Sequence, residues 1–358
     1  MNKGDISIKK RLGLNVFREY RKTEISLHEL QYLFWECTHR CNLECIHCGS
    51  DCKQNTLISD MPAADFLQVT GQIKTQYNSN NIMIVMTGGE PLVRNDIELC
   101  GTELTKQGYP WGIVTNGVLL TRQRLNSLIN AGLSSITISL DGLESSHNWL
   151  RNSKCFVNVI RAVELIVEQN ELIFDIVTCI NQKNFGELDE IKELLISLGV
   201  KRWRLFTISP IGRAKDNPDL SLTNHQLKDL MEFIKKARLG KQIEVNYECE
   251  GFVGKYEMEV RDGFYFCRAG INIASVLLDG SISACPNIDN RYSQGNIYKD
   301  NFLDIWNNQF KLMRQRDWMK KGICENCKVF KWCNGNGMHL RNHGLNNVLS
   351  CQYNMLNN

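Results

Sequence analysis

Cys41, Cys45 and Cys48 stand as Cys41-Asn-Leu-Glu-Cys45-Ile-His-Cys48, a C-x3-C-x2-C run directly after the strand-like Tyr32–Glu36. Three thiolates on one short loop can hold three irons of a 4Fe–4S cube. No fourth cysteine is spaced to join them, so one iron is left open to a small ligand. The competing use of the same loop is a zinc knuckle. Zinc needs a fourth ligand for a closed tetrahedron, and Cys37, Cys52, His39 or His47 can supply one. Further along, Thr87-Gly-Gly-Glu-Pro91 follows a second strand-like run. Gly88 and Gly89 let the backbone approach a ligand, and Glu90 can pair with an ammonium. Ser139, Asn116, Arg151 and Arg213 are polar groups at or after strand ends. By residue type alone they serve equally as a strand-end polar group, a turn, a helix charge and an ion pair. Near the carboxyl end stand Cys267, Cys285, Cys324, Cys327, Cys333 and Cys351. The last four are also spaced acceptably for a four-cysteine zinc site.

Composition narrows the classes. The 358 residues carry a net charge of +3, too mild for a nucleic-acid binder, and fifteen cysteines. Met1 to Lys10 is charged and lacks the apolar stretch of a signal peptide. No apolar run approaches the roughly 18 residues that span a bilayer. Many cysteines without an export signal point to metal or redox chemistry in a reducing, cytoplasmic setting. Cys37, Cys52, Cys100, Cys155 and Cys179 match no ligand pattern and read as small apolar residues, with Cys52 nearest the cysteine loop.

The elements that must position these groups alternate strand and helix from Gln31 to about Ile211. Strands are predicted at Tyr32–Glu36, Ile82–Met86, Trp111–Thr115, Ile136–Leu140, Ile173–Ile180 and Trp203–Ile208. Between them, Ser59–Pro62 and Thr121 start helices, and Gly132 and Gly199 stop them. Six βα units imply a parallel sheet with right-handed crossovers, and so a partial (β/α)6 barrel. The groups that follow strands, Asp141 among them, should converge on its mouth. The chain divides into an amino-terminal extension (1–30), the partial barrel (31–214), a bridging region (215–264) and a small cysteine-rich domain (265–358). The extension is basic and partly amphipathic. It is expected to pack Leu12, Val16, Phe17 and Tyr20 against the catalytic domain, or else to touch an anionic surface. Thr223 to Lys236 reads as a helix. The final domain has too little core to fold without metal staples.

The cysteine run at a strand end, with GGEP at this offset, resembles the radical SAM superfamily. In that family S-adenosylmethionine (SAM) chelates the open iron. The resemblance implies that Gly88, Gly89 and Glu90 contact the methionine amino group of SAM, Ser139 contacts SAM, and Arg151 reaches its carboxylate. It also implies that Asn116 lines the mouth, and that Arg213, in a PxGRA-like element, binds SAM or a substrate carboxylate. The carboxyl-terminal cysteines resemble the SPASM domain of peptide-modifying members, which binds two auxiliary clusters. Six of its seven cysteines are present, and the missing one falls at Gly337. The set matching Cys324, Cys327, Cys333 and Cys351 closes the outer cluster. The inner set keeps Cys267 and Cys285, with Cys249 the first candidate for a replacement ligand and His339 the second; otherwise the inner site has an open iron, a smaller cluster or no cluster. The stretch from Leu27 to Cys52 further resembles a subgroup encoded beside a small lipoprotein.

The resemblance implies reductive cleavage of SAM and hydrogen abstraction from a peptide or protein, giving a crosslink, an epimer or an oxidised residue. A small-molecule substrate and a non-catalytic, metal-stapled binding protein are the alternatives. Pro286 and Asn287 stand where sulfatase-maturing relatives carry an Asp, which disfavours formylglycine chemistry. A flavodoxin or ferredoxin is the expected electron donor. The 40 residues before Cys41 leave no room for a fused winged-helix module, so leader recognition is expected to use a separate protein or the barrel itself.

Overall fold

Six apolar segments form strands β1 (Tyr32–Thr38), β2 (Met83–Gly88), β3 (Trp111–Thr115), β4 (Leu133–Ser139), β5 (Ile173–Ile180) and β6 (Arg202–Thr207). In the computed structural model, which describes residues 6–248, 250–341 and 348–357, they lie side by side in chain order. Every neighbouring pair is parallel. Parallel neighbours need crossovers, and helices supply them: α2 (Ala63–Ile73), α3 (Ile97–Lys106), α4 (Arg122–Asn130), α5 (Glu144–Arg151), α6 (Phe156–Val167) and α7 (Leu188–Ser197), with α1 (Ile8–Leu27) ahead of them. Thr121 caps α4 through its hydroxyl, as its position predicts. The core fills the space between sheet and helices. Trp35 of β1 stacks on Phe66 of α2 at 4.5 Å. The partial (β/α)6 barrel is therefore present, and its strand ends share one rim.

The sheet is wider than the sequence pattern suggested. After α8 (Asn224–Ala237), whose Thr223–Gln226 capping box fixes its start, strand β7 (Glu244–Tyr247) pairs parallel to β6. On the opposite edge β8 (Ile273–Val276) pairs parallel to β1, and β9 (Ser281–Ser283) and β10 (Gly295–Asn296) continue antiparallel. The cysteine-rich part is thus hydrogen-bonded into the barrel's own sheet. A strand of four residues leaves too short an alternation to be read from sequence.

The extension differs from expectation. Helix α1 lies on the bridging region and the carboxyl-terminal domain, not on the barrel. Leu14 is buried, Arg21 donates to the carbonyls of Lys331 and Trp332, and Phe17 meets Phe264 at 5.5 Å. Gly13 allows this approach, since a Cβ there would sit 2.9 Å from the Phe264 ring. Leu12, Val16 and Tyr20 face solvent at 62%, 74% and 46% exposure. The 3.6-residue period permits two stripes on α1, and the narrower one with Leu14 and Arg21 is the buried one. Truncating a buried leucine costs about 2–5 kcal/mol, whereas an exposed one costs little. Leu14→Ala should therefore speed amide hydrogen exchange along α1 markedly, and Leu12→Ala should leave it unchanged.

Candidate active site and metal centres

The cysteine loop begins where β1 ends and has no helix or strand of its own. Its position comes from contacts on every side. At the end of β2, the Gly89 N–H donates to Thr38 O at 2.7 Å and Glu90 N–H to Arg40 O at 3.0 Å. A Cβ on Gly88 would lie 2.3 Å from Thr38 O, and one on Gly89 2.2 Å from Arg40 O. The glycines therefore admit the loop's own backbone. Below them Arg94, buried, donates to the carbonyls of Cys37 and Met61 and pairs with Asp96.

Glu90 is buried, and three donors meet its carboxylate. Leu92 N and Thr115 Oγ1 reach Oε1 at 3.0 and 2.7 Å, and Asn116 N reaches Oε2 at 2.7 Å. Burial raises its pKa, against these donors and Arg151. A carboxylate has about four lone-pair positions, so one remains for an ammonium. Asn116 is more than a turn. Its Nδ2 bonds Asn42 Oδ1 at 2.8 Å and lies 3.9 Å from Cys41 Sγ. Ser139 closes β4, opposite Val177 of β5, and is half-buried.

Arg151, at the end of α5, is buried beside the loop. It pairs with Asp141 at 2.5 Å, and its Nη1 lies 3.7 Å from Cys45 Sγ. Burial opposes its charge, but Asp141 and the Cys45 sulfur hold its pKa up. Its Nε is buried without a partner. The Asp141 backbone N–H also donates to His147 Nδ1 at 3.1 Å. Burial and Arg151 push both His147 and His47 down to about 4, leaving them neutral. Arg213 holds the far side. It donates to the carbonyls of Cys45 at 2.7 Å and Cys52 at 3.0 Å and pairs with Asp51. Gly212, at φ +55, lies so close that a Cβ would meet Cys48 O at 2.4 Å. The PxGRA-like element thus clamps the cysteine loop, and the ion-pair use weighed for Arg213 is the one observed. These arrangements, the Asp141–Arg151 pair among them, were not resolved by sequence reasoning. Only the strand-end placement of Asp141 hinted at them.

Cys41, Cys45, Cys52 and Cys155 are buried together, with Cys48 at their edge. Cys37 and Cys100 are buried in the main core, and Cys179 is half-buried. Cys52 is not inert filler: its thiol bonds Cys48, which draws the Cys48 pKa down. Among the described residues no three such side chains converge closely enough for a single ion. A four-iron cube spreads its ligands over its corners instead, and N–H donors at the sulfurs suit it. Here Leu43 N reaches Cys41 Sγ at 3.4 Å, beside the Asn116 and Arg151 contacts.

In the carboxyl-terminal domain Cys324, Cys327, Cys333 and Cys351 line one small, largely apolar hollow. Arg341 Nη2 donates to Cys324 Sγ at 3.3 Å. Cys267 and Cys285 are half-buried against the main core. Burial raises the Cys267 pKa, but Arg316 and the backbone N–H groups of Met338 and Ala269 outweigh it and lower it. Burial pushes Cys285 up to about 12. Cys249 lies outside the described residues. Between loop and domain opens a cavity of ≈ 660 Å³, walled by Gly88, Cys48 and Ile211 on one side and Asn287, Ile288 and His339 on the other.

Residues 35–195 match the radical SAM superfamily, and residues 267–328 match the SPASM iron-sulfur cluster-binding domain. The chain is 24% identical to the AdoMet-dependent heme synthase of Methanosarcina barkeri over 84% of its length and 89% of the relative's. It is 25% identical to the PqqA peptide cyclase of Rhizobium meliloti, covering 82% and 78%. Its fold is similar to that of Streptococcus suis SuiB bound to S-adenosylmethionine, with a TM-score of 0.68 at 19% identity, covering 90% and 77%. With the barrel and its cysteine loop, residues 35–195 form a radical SAM domain, which binds a 4Fe–4S cluster and SAM, and the protein is an enzyme. A SPASM domain with auxiliary iron–sulfur binding follows it at the carboxyl end.

The Asp141–Arg151 pair gives a direct test of how the loop is held. Removing one partner of a buried pair strands the other charge and costs about 3–5 kcal/mol. Asp141→Ala should lower the thermal midpoint clearly, while Asp51→Ala, at the exposed partner of Arg213, should shift it little.

Proposed function

We propose that this enzyme acts on a peptide or protein, held in the cavity between the cysteine loop and the SPASM domain. When bound, the cluster on Cys41, Cys45 and Cys48 and its SAM supply a primary carbon radical that abstracts hydrogen. Gly88, Gly89, Glu90, Asn116, Ser139 and Arg151 form the SAM site. Glu90 offers its free lone pair to the ammonium, and Arg151 its unpartnered Nε to the carboxylate. The surrounding apolar and hydrogen-bonded groups exclude water, which protects a reactive intermediate from quenching.

The observation that carries the peptide reading is the cavity lining. Among the described residues it holds no Phe, Tyr or Trp, and it mixes Ile211, Leu277 and Ile288 with Ser50, Asn287 and Asn290. Mixed apolar and amide-bonding groups suit a chain of amides better than a flat ring system. Relatedness to a peptide cyclase supports the same reading. Relatedness to a heme synthase supports the alternative, a small tetrapyrrole. The product on a peptide is a crosslink, an epimer or an oxidised residue. We also read Leu27–Cys52 as the subgroup encoded beside a small lipoprotein. The electron donor is a flavodoxin or ferredoxin, and a separate protein or the barrel itself recognises any leader. Among the described residues no helix is long and apolar enough to cross a membrane.

Reduced anaerobically with SAM, the enzyme should form 5′-deoxyadenosine. Replacing Cys41, Cys45 and Cys48 together by Ala should abolish this while iron stays in the SPASM domain; full activity in that variant sinks the assignment. Deuterium carried from a labelled peptide into 5′-deoxyadenosine would support the peptide reading, and carriage only from a porphyrin would replace it. A lost charged hydrogen bond costs about 1.5–3 kcal/mol, so Glu90→Ala and Arg151→Ala should each weaken SAM binding about ten- to a hundredfold by calorimetry.

A further inference from the structure

The inner auxiliary set lacks its third cysteine, and the vacant sequence position has a specific occupant in space. Gly337 has φ −65 and ψ 139, a backbone conformation open to any L residue. Nothing about the chain's own geometry calls for glycine. What excludes a side chain is the ring of His339: a Cβ on Gly337 would lie 2.7 Å from its Cε1 and 2.9 Å from its Nδ1. The imidazole therefore fills the volume that a cysteine side chain at 337 would take.

The same short segment is moored to the inner set. The Met338 backbone N–H, between the two residues, donates to the Cys267 sulfur. The turn Met338–Leu340 is closed by Leu340 N to Gly337 O at 3.1 Å and Arg341 N to Met338 O at 3.2 Å. Cys267 and Cys285 lie near enough to interact electrostatically. A half-buried imidazole normally finds a hydrogen bond. His28, His39, His147 and His225 all do. Among the described residues, neither ring nitrogen of His339 meets a partner. An imidazole with no hydrogen-bond partner, one residue along from the N–H that meets Cys267, has the form of a metal ligand.

We propose that His339 replaces the absent cysteine as a ligand of the inner auxiliary cluster, together with Cys267 and Cys285. The proposal rests on the SPASM reading of this domain. A neutral imidazole in place of a thiolate removes one negative charge from the ligand set and raises the cluster's reduction potential. The inner cluster then differs from the outer one, whose four ligands are thiolates. Because His339 also lines the cavity, the odd ligand stands on the substrate side.

The test uses the full chain, reconstituted anaerobically without SAM, whose own amine would confuse the signal. With ¹⁵N-histidine incorporated, electron–nuclear double resonance of the reduced protein should show a directly bonded histidine nitrogen. His339→Ala should lose that signal and drop iron from about twelve to about eight per chain. The double variant Gly337→Cys, His339→Ala should regain the iron without the nitrogen. Absence of bonded nitrogen in the unaltered protein overturns the proposal, even if every variant fails to fold. Unchanged nitrogen coupling and iron in His339→Ala also overturn it. If instead Cys324→Ala leaves the iron content unchanged, the SPASM reading itself falls, a result separable from the nitrogen measurement.

Discussion

The backbone of Thr38 to Arg40 and the two glycines at the end of β2 lie so close that no side chain fits between them. That approach fixes where the cysteine loop leaves the sheet. Everything else at the mouth follows from it. Glu90, next in the chain, is carried inward, where it ties the ends of β2 and β3 together. Asn116 is thereby turned onto the loop. From the other side Arg151 and Arg213 complete the enclosure. A loop without regular structure keeps three thiols in place because four separate places hold it through hydrogen bonds: the ends of β2 and β3, α5, and the PxGRA-like turn.

Each cysteine group has one arginine at a sulfur. Arg151 serves Cys45, Arg341 serves Cys324, and Arg316 serves Cys267. A guanidinium stays charged even when buried, and it offers several donors in a rigid fork. Iron–sulfur clusters with thiolate ligands are anionic, so a fixed cation at each offsets the cost of burying them. The +3 charge of the chain gives no hint of this arrangement. What matters is where single arginines sit.

The strands β1–β6 were legible because each is a run of apolar residues closed by a turn signal. β7 and β8 were not, because each has four residues and draws its stability from a neighbour's edge. Residue types at the site were legible, but their partners were not. Glu90 and Arg213 are where the pattern puts them, yet Thr115, Asn116, Cys45 and Asp51 occupy them, and those contacts span 25 to 168 positions. The α1 face was misread because two apolar stripes share one helix and only the tertiary partner chooses between them. Gly337 and His339 could be counted in the sequence, but the ring over the glycine is visible only in three dimensions.

The pairing of β8 with β1 runs from Tyr32 to Trp35, on the strand that delivers the cysteine loop. The SPASM domain is therefore stitched to the same strand that carries the reactive centre, and hinging between them would break a sheet ladder. Electron tunnelling decays exponentially with distance. A shared strand thus works as a ruler: it keeps the gap between redox centres constant while substrate enters and product leaves.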